Sequence, residues 1–482
     1  MLDRLEHREI DRRTRRMGVL RPGTLPQPDR PAGTDLIPQI KHIVVLMMEN
    51  HSYDSYFGML TGRGAGFPLR PDGTPDIANP RRGGDPVRAY HQKSTVQAEQ
   101  VPTQSWHASY LQRGGGACDG FVTSTQALAP KRDPTVPMGY WTGQDLPFYY
   151  GLARTFPLAD HWFCSCLGPT FPNRRFLIAG TAHGLVDDLP FDLVDYPPAG
   201  TIFDMLTKHG ISWVNYHHVS KARIVLKRLL GGHGLVAARR FVALGRWFPP
   251  LLNLERGNKS FTAGLYPLGL ARCLLHLRTS DQFFADADNG TLPSFSIVDP
   301  DFGSFSEENP QDIQLGESFA AEVINRVMHG KGWKDTLLIW VYDEHGGYYD
   351  HVDPPAAPPP DDVEGRSLLT LPGWVQACLR TVLKGPLAQL AQADAGPRRY
   401  DRYGFRVPAV IVSPYARPDY VCSQVLDHTS VLKLIEQKWN LPPLTDRDAA
   451  AASPLDALDL ASPPAFLAPP DLPPPAVPWR PQ

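Results

Sequence analysis

Two segments of this chain place acids, an amide and imidazoles directly after apolar runs. Lys41–Met48 is followed by Glu49, Asn50, His51, Ser52, Tyr53 and Asp54. Thr336–Tyr342 is followed by Asp343, Glu344, His345, two glycines, two tyrosines, Asp350 and His351. Oxygen ligands with nitrogen at hand suit one hard or borderline divalent cation, and this set admits calcium, manganese, magnesium or zinc. Each residue also has a plain role, Asn50 or Asp343 as a helix cap and Glu49 or Glu344 as a solvated acid. The same pattern after two similar runs favours a site. A third segment, Gly168–Arg175, sets Thr170 between turn-forming residues and ahead of Arg174 and the apolar stretch Phe176–Ala179. Such a segment can open a helix, where free amides and the helix dipole favour an anion. Metal coordination lowers the pKa of an alcohol and makes Thr170 a usable nucleophile, whereas its plain reading is an N-cap.

These residues need a frame. Lys41–Met48, Thr336–Tyr342 and Val407–Ser413 are short apolar runs containing β-branched residues, the signature of strands covered on both faces. Gly316–Met328 and His428–Trp439 are helical candidates, the latter with Val431, Leu434, Ile435 and Trp439 at helical spacing. Strands alternating with helices predict an α/β three-layer sandwich with a mostly parallel sheet. In such sheets ligands bind beyond the carboxyl ends of the strands, where both acidic segments fall. Residues 1–38 read as a polar lead-in, 39–445 as the main domain, and 446–482 as a Pro- and Ala-rich tail. Within the domain, 219–280 reads as a helical insertion or cap.

Composition narrows the classes. The 482 residues are 42% hydrophobic and 20% charged, as in ordinary globular enzymes, and 50 prolines with 41 glycines require many loops. A formal net charge of -2 gives no global field for nucleic acid. No apolar run is long enough to span a bilayer. Arg12, Arg13, Arg15 and Arg16 are followed by no apolar stretch, so no signal peptide is readable, and the expected location is the cytoplasm or export by a signal-independent route. The six cysteines are thinly spread and read mainly as buried thiols. The basic stretch 221–256 reads first as a solvated helix face and, more sharply, as a peripheral contact with an anionic membrane.

Taken together the motifs resemble the bacterial phosphoesterase family of phosphatidylcholine-type phospholipases C and respiratory-burst-inhibiting acid phosphatases. The similarity runs from Ile40–Asp54 through Cys118–Phe121, Gly168–Arg174, Gly290–Pro293, Gly316–Glu317 and Asp343–Val352 to Asp427–Leu432. The resemblance implies the alkaline-phosphatase-like fold and a phosphate ester or phospholipid substrate. It implies one divalent ion held by Glu49, Asn50, Asp343, Glu344 and Thr170, with Thr170 as the phosphorylated nucleophile and His107 beside the phosphoryl group. Threonine preceded by Gly-Pro is similar to the phospholipase branch, and the His217-His218 pair to the acid phosphatase branch. Asn309 stands where the family often carries histidine, which removes a proton donor.

A histidine with an ordinary pKa of about 6.5 can donate a proton or hold phosphoryl oxygens. His217, His218, His351 and His428, with Arg174, are the candidates for contacting substrate, and His107 is the first choice for catalysis. His345 is expected to orient a ligand, and His51 and His161 to be structural. Three other readings are a broad-range acid phosphatase, a sulfatase or phosphonate hydrolase, and a non-catalytic metal-containing binding protein. Thr170 cannot mature into the formylglycine of sulfatases, and the retained nucleophile with all four other ligands argues against a purely structural metal.

Overall fold

The computed structural model describes residues 25–97, 102–188, 196–218, 262–266, 273–365 and 397–480. The basic stretch 221–256 and most of the expected insertion 219–280 lie outside the described residues.

The centre of the molecule is an eight-stranded sheet. In chain order its strands are β1 (His42–Met48), β2 (Leu158–Ala159), β3 (Trp213–His217), β4 (Leu277–Thr279), β5 (Phe295–Asp299), β6 (Thr336–Tyr342), β7 (Ala409–Val412) and β8 (Val421–Cys422). Side by side they run β8-β2-β7-β6-β1-β5-β3-β4. The five strands from β6 to β4 are parallel. Beyond them β7 runs antiparallel to β6, and β2 antiparallel to β7. The run Val407–Ser413 therefore joins the sheet against the direction of the two runs it resembles. Its apolar composition reports burial on both faces, which does not fix strand direction.

Every residue of β6, and every residue of β1 after His42, is buried. Five helices concern the site and its support: α1 (Tyr53–Phe57), α2 (Trp106–Arg113), α3 (Thr170–Ala179), α4 (Ile313–His329) and α5 (Thr429–Trp439). Phe319, Val323, Ile324 and Val327 of α4 and Val431, Leu434 and Ile435 of α5 share one core with the sheet. Burying each such side chain contributes about 1.5–3 kcal/mol. The architecture is the α/β three-layer sandwich that the alternating runs predict.

Both ends of the described chain pack on this domain. Asn440, in the left-handed conformation that ends α5, accepts the Gln27 amide at 2.8 Å and donates to the carbonyls of Gln27 and Arg30. At the other end, the rings of Phe466 and Trp479 lie against Phe156 and against Phe305 and Phe319. Cys118, Cys164, Cys166 and Cys422 are buried and free, and Cys273 is buried beside the Ala263 carbonyl; Cys378 lies outside the described residues. Among the described residues no helix is long and apolar enough to cross a membrane.

Candidate active site

Parallel neighbours end at one edge of the sheet. Met48 pairs in register with Tyr342, and His217 with Asp299. Asp343 and Glu344, Glu49 and Asn50, Asp299, and His217 and His218 therefore leave four adjacent strands on the same side. Helix α3 supplies the fifth element. Pro169 caps it in an extended conformation and Thr170 is its first residue, so Thr170 is not the N-cap.

The Thr170 hydroxyl donates to Asn50 Oδ1 at 3.4 Å. Asn50 holds φ of +67°, and its amide donates to Asp343 Oδ1 at 3.2 Å, an oxygen that also accepts the Glu344 amide at 2.8 Å. Gly346 locks the two strand exits together. A Cβ at Gly346 would stand 1.9 Å from the Asn50 carbonyl oxygen, so only glycine fits there. Three stretches remote in sequence thus meet around Asn50, which touches Thr170 on one side and Asp343 on the other.

Arg174, one turn along α3, organises the acids. Its guanidinium donates to Asp343 Oδ2 at 2.8 Å, Asp299 Oδ1 at 3.0 Å and the Thr262 hydroxyl at 2.9 Å, with Glu49 Oε1 3.8 Å away. It also donates to the carbonyls of Met47 and Met48 at 3.2 Å. Burial works against its charge, but Asp343, Glu49 and Asp299 outweigh that and hold its pKa above the ordinary value. Arg174, a candidate for contacting substrate, is buried and turned to these acceptors.

This group leaves one acidic oxygen open. Glu344 Oε1 is buried without a hydrogen-bond partner, while Glu344 Oε2 accepts the Gly346 amide at 2.7 Å. Burial, then the Asp343 charge, pushes the Glu344 pKa well above its ordinary value. The buried acids Glu49, Asp299 and Asp343 gather around the Arg174 guanidinium, and buried Glu344 follows Asp343 in the chain. A cation beside the orphaned oxygen would offset the surplus charge and keep Glu344 ionised.

The histidines separate by their contacts. His107 lies on α2 with Nδ1 buried and without a partner, and His218 Nε2 is likewise buried without a hydrogen bond, 4.0 Å from Asp301. His217 ends β3. His428 departs from the expected contact with substrate: it is buried, Nε2 donates to the Asp343 carbonyl at 2.7 Å, and Nδ1 accepts from Trp162 at 3.3 Å. Burial lowers its pKa, and the ring meets Asp343 through that carbonyl. His345, pushed down to about 3 by burial, holds Gln112 at 2.8 Å beside Glu344. His51 is stacked between Tyr56 and Tyr348.

His351 belongs to a second charged group. Asp54, Asp350 and His351 offer ligand atoms within 4.8 Å of one another, a spacing compatible with a divalent ion. The Arg406 guanidinium, however, already lies 3.0 Å from both carboxylates. His351 Nδ1 meets Asp54 Oδ2 at 2.6 Å. Burial alone would lower the His351 pKa; the Asp54 carboxylate outweighs it and raises it. A raised folded pKa means that this pair stabilises fully below the unfolded value of about 6.5 and that the contribution is lost as pH rises through the folded value. Melting temperature should fall over that window, and His351→Gln should flatten the fall; parallel curves for the two proteins would contradict the assignment.

Asp299, Glu307 and Arg406 were not read from the sequence as site residues. Asp299 had a signal, since Phe295–Val298 is a short, mostly apolar run followed by an acid, as the two chosen runs are. Glu307 and Arg406 lie in loops, where no periodicity marks a buried charge. Glu317, part of a resembling motif, accepts the amides of Phe148 and Tyr149 at 2.9 and 3.1 Å and so serves a helix start.

Similarity to known proteins extends over most of the chain. The Phosphoesterase family matches residues 40–442. Phospholipase C B of Mycobacterium tuberculosis is 31% identical over 453 residues, which cover 88% of this chain and 78% of that protein. Non-specific phospholipase C1 of Arabidopsis thaliana is 28% identical over 444 residues, 86% of this chain and 70% of that protein. Non-hemolytic phospholipase C of Pseudomonas aeruginosa is 28% identical over 421 residues, 83% of this chain and 54% of that protein.

Proposed function

The chain belongs to the Phosphoesterase family and is a hydrolase of phosphoric esters, and from that premise we propose that it cleaves phosphodiesters of the phospholipase C type through a phosphothreonine at Thr170. The observation that carries this reading is the Thr170 hydroxyl, buried at the start of α3 and 3.4 Å from Asn50, where the acids leaving β1 and β6 gather. Relatives named phospholipase C support the diester as substrate.

One divalent ion fits Glu49, Asn50, Asp343, Glu344 and Thr170; bound there, it would neutralise charge on a phosphoryl oxygen and ease ionisation of the threonine alcohol. The residues themselves supply position and protons. Asn50 fixes the Thr170 rotamer. Arg174 and His428 hold Asp343, one through its carboxylate and one through its carbonyl. In the first half-reaction Thr170, ionised beforehand by loss of its proton to solvent, bonds through its oxygen to phosphorus, the bond to the alcohol breaks, and His107 Nδ1 gives the leaving oxygen its proton. In the second, water gives a proton to His107 as its oxygen bonds to phosphorus, and the Thr170 bond to phosphorus breaks to return the ionised alcohol. His217 and His218, at the end of β3, suit the phosphoryl oxygens or the head group.

The test uses p-nitrophenyl phosphorylcholine and p-nitrophenyl phosphate, before and after chelation, with calcium, manganese, magnesium and zinc restored singly. The expected result is turnover of the diester, lost at least about 100-fold on chelation and regained with one metal. Full activity after complete metal removal would defeat the metal-assisted reading. Turnover of the monoester alone would move the chain to the acid phosphatase branch.

A further inference from the structure

We propose that Glu307 is a positioning residue whose buried carboxylate sets the ends of β1 and β6 relative to each other, and with them the ion-binding acids. The assignment rests on the reading that Glu49, Asn50, Asp343 and Glu344 hold a divalent ion.

Glu307 is fully buried and its carboxylate collects three phenols. Tyr342 donates to Oε2 at 2.5 Å, Tyr149 to Oε1 at 2.6 Å, and Tyr56 to Oε2. The phenols come from different places. Tyr342 is the last residue of β6, next to Asp343, and Tyr56 lies on α1, a short step after Glu49 and Asn50. Tyr149 belongs to the helix Pro147–Thr155, which carries none of the site residues. One carboxylate therefore ties both site-bearing strand exits to a neutral anchor.

The main chain around Glu307 repeats the tie. The Glu49 amide donates to the Ser306 carbonyl at 3.1 Å, so the loop touches the first acid directly. Gln97 donates to the Glu307 carbonyl at 2.5 Å, and Gln311 Oε1 accepts the amides of Ser306 and Glu307 at 2.8 and 3.1 Å. Two residues on, Asn309 donates to the Tyr348 hydroxyl at 3.1 Å, and two residues back, Phe305 meets the His218 ring edge-on. Glu307 itself holds φ of +74°, the left-handed region that residues with a Cβ adopt only when their surroundings over-determine them. A loop that merely filled the core would not need contacts with three strand exits, those of β6, β1 and β3.

The three tyrosines make the test. Tyr342→Phe, Tyr56→Phe and Tyr149→Phe each remove one hydroxyl from the same carboxylate and keep the ring. Positioning predicts that the first two weaken divalent-ion binding about tenfold and lower kcat, whereas Tyr149→Phe leaves both within about twofold. All three should lose a similar amount of melting temperature. Binding is measured by isothermal titration with calcium, manganese, magnesium and zinc separately, so it does not depend on turnover. Glu307→Gln should weaken binding more than any single tyrosine variant, and the tyrosine set decides the matter if that variant does not fold. Equal ion affinity in all three tyrosine variants, or equal loss in all three, would overturn the assignment. A parental protein that binds none of the four ions would remove the underlying reading, a result distinct from either.

Discussion

Thr170→Val is expected to reduce diester turnover by at least about a thousandfold, with the fold retained. Valine keeps the branched shape at a buried position, so packing at the start of α3 changes little. What goes is the only atom of residue 170 able to attack phosphorus. Removing a covalent nucleophile routinely costs three or more powers of ten, whereas a lost neutral hydrogen bond such as that to Asn50 costs about 1 kcal/mol. Thr170→Ser separates the two effects. It restores a primary alcohol and should recover activity to within about tenfold of the parent. Comparable rates for the parent and Thr170→Val would remove the nucleophile from the account.

Arg174→Met should produce the largest loss of stability of any substitution near the site. Met fills much of the volume but leaves Asp343 and Asp299, both buried, without the guanidinium that lies 2.8 and 3.0 Å from them. Breaking a buried ion pair from one side typically costs about 3–5 kcal/mol, because the stranded charges stay in a poor solvent. Guanidinium unfolding measures that loss. Divalent cations should raise the variant's midpoint more than the parent's, since an ion then carries charge compensation that Arg174 shares in the parent. A variant within about 1 kcal/mol of the parent would show that water already reaches these acids.

Much of this site was legible because chemistry and fold leave overlapping marks. A strand covered on both faces must be an unbroken apolar run, and such a run ends abruptly where polar residues meet the edge of the sheet. Glu49 and Asn50 after β1, and Asp343 and Glu344 after β6, stand out for that reason. Thr170 was visible because glycine and proline mark the turn into α3. Less legible were the residues whose meaning depends on what faces them. Arg174 and His428 carry the right groups for binding a phosphate, yet their partners are Asp343, Asp299 and Trp162, fixed by tertiary packing. Glu307 lies in a loop, and nothing local announces that three phenols from distant elements converge on it. Strand direction was hidden too, since Ala409–Val412 is buried on both faces whichever way it runs.

The covalent step can be tested without relying on the accumulation of a phosphothreonine. A phosphodiester made chiral at phosphorus with oxygen isotopes, hydrolysed in isotopically labelled water, reports how many displacements occur. Attack by Thr170 followed by attack of water gives two inversions, so the product phosphate ester should show retention of configuration. Inversion would mean that water attacks the substrate directly, and Thr170 would then have no covalent role.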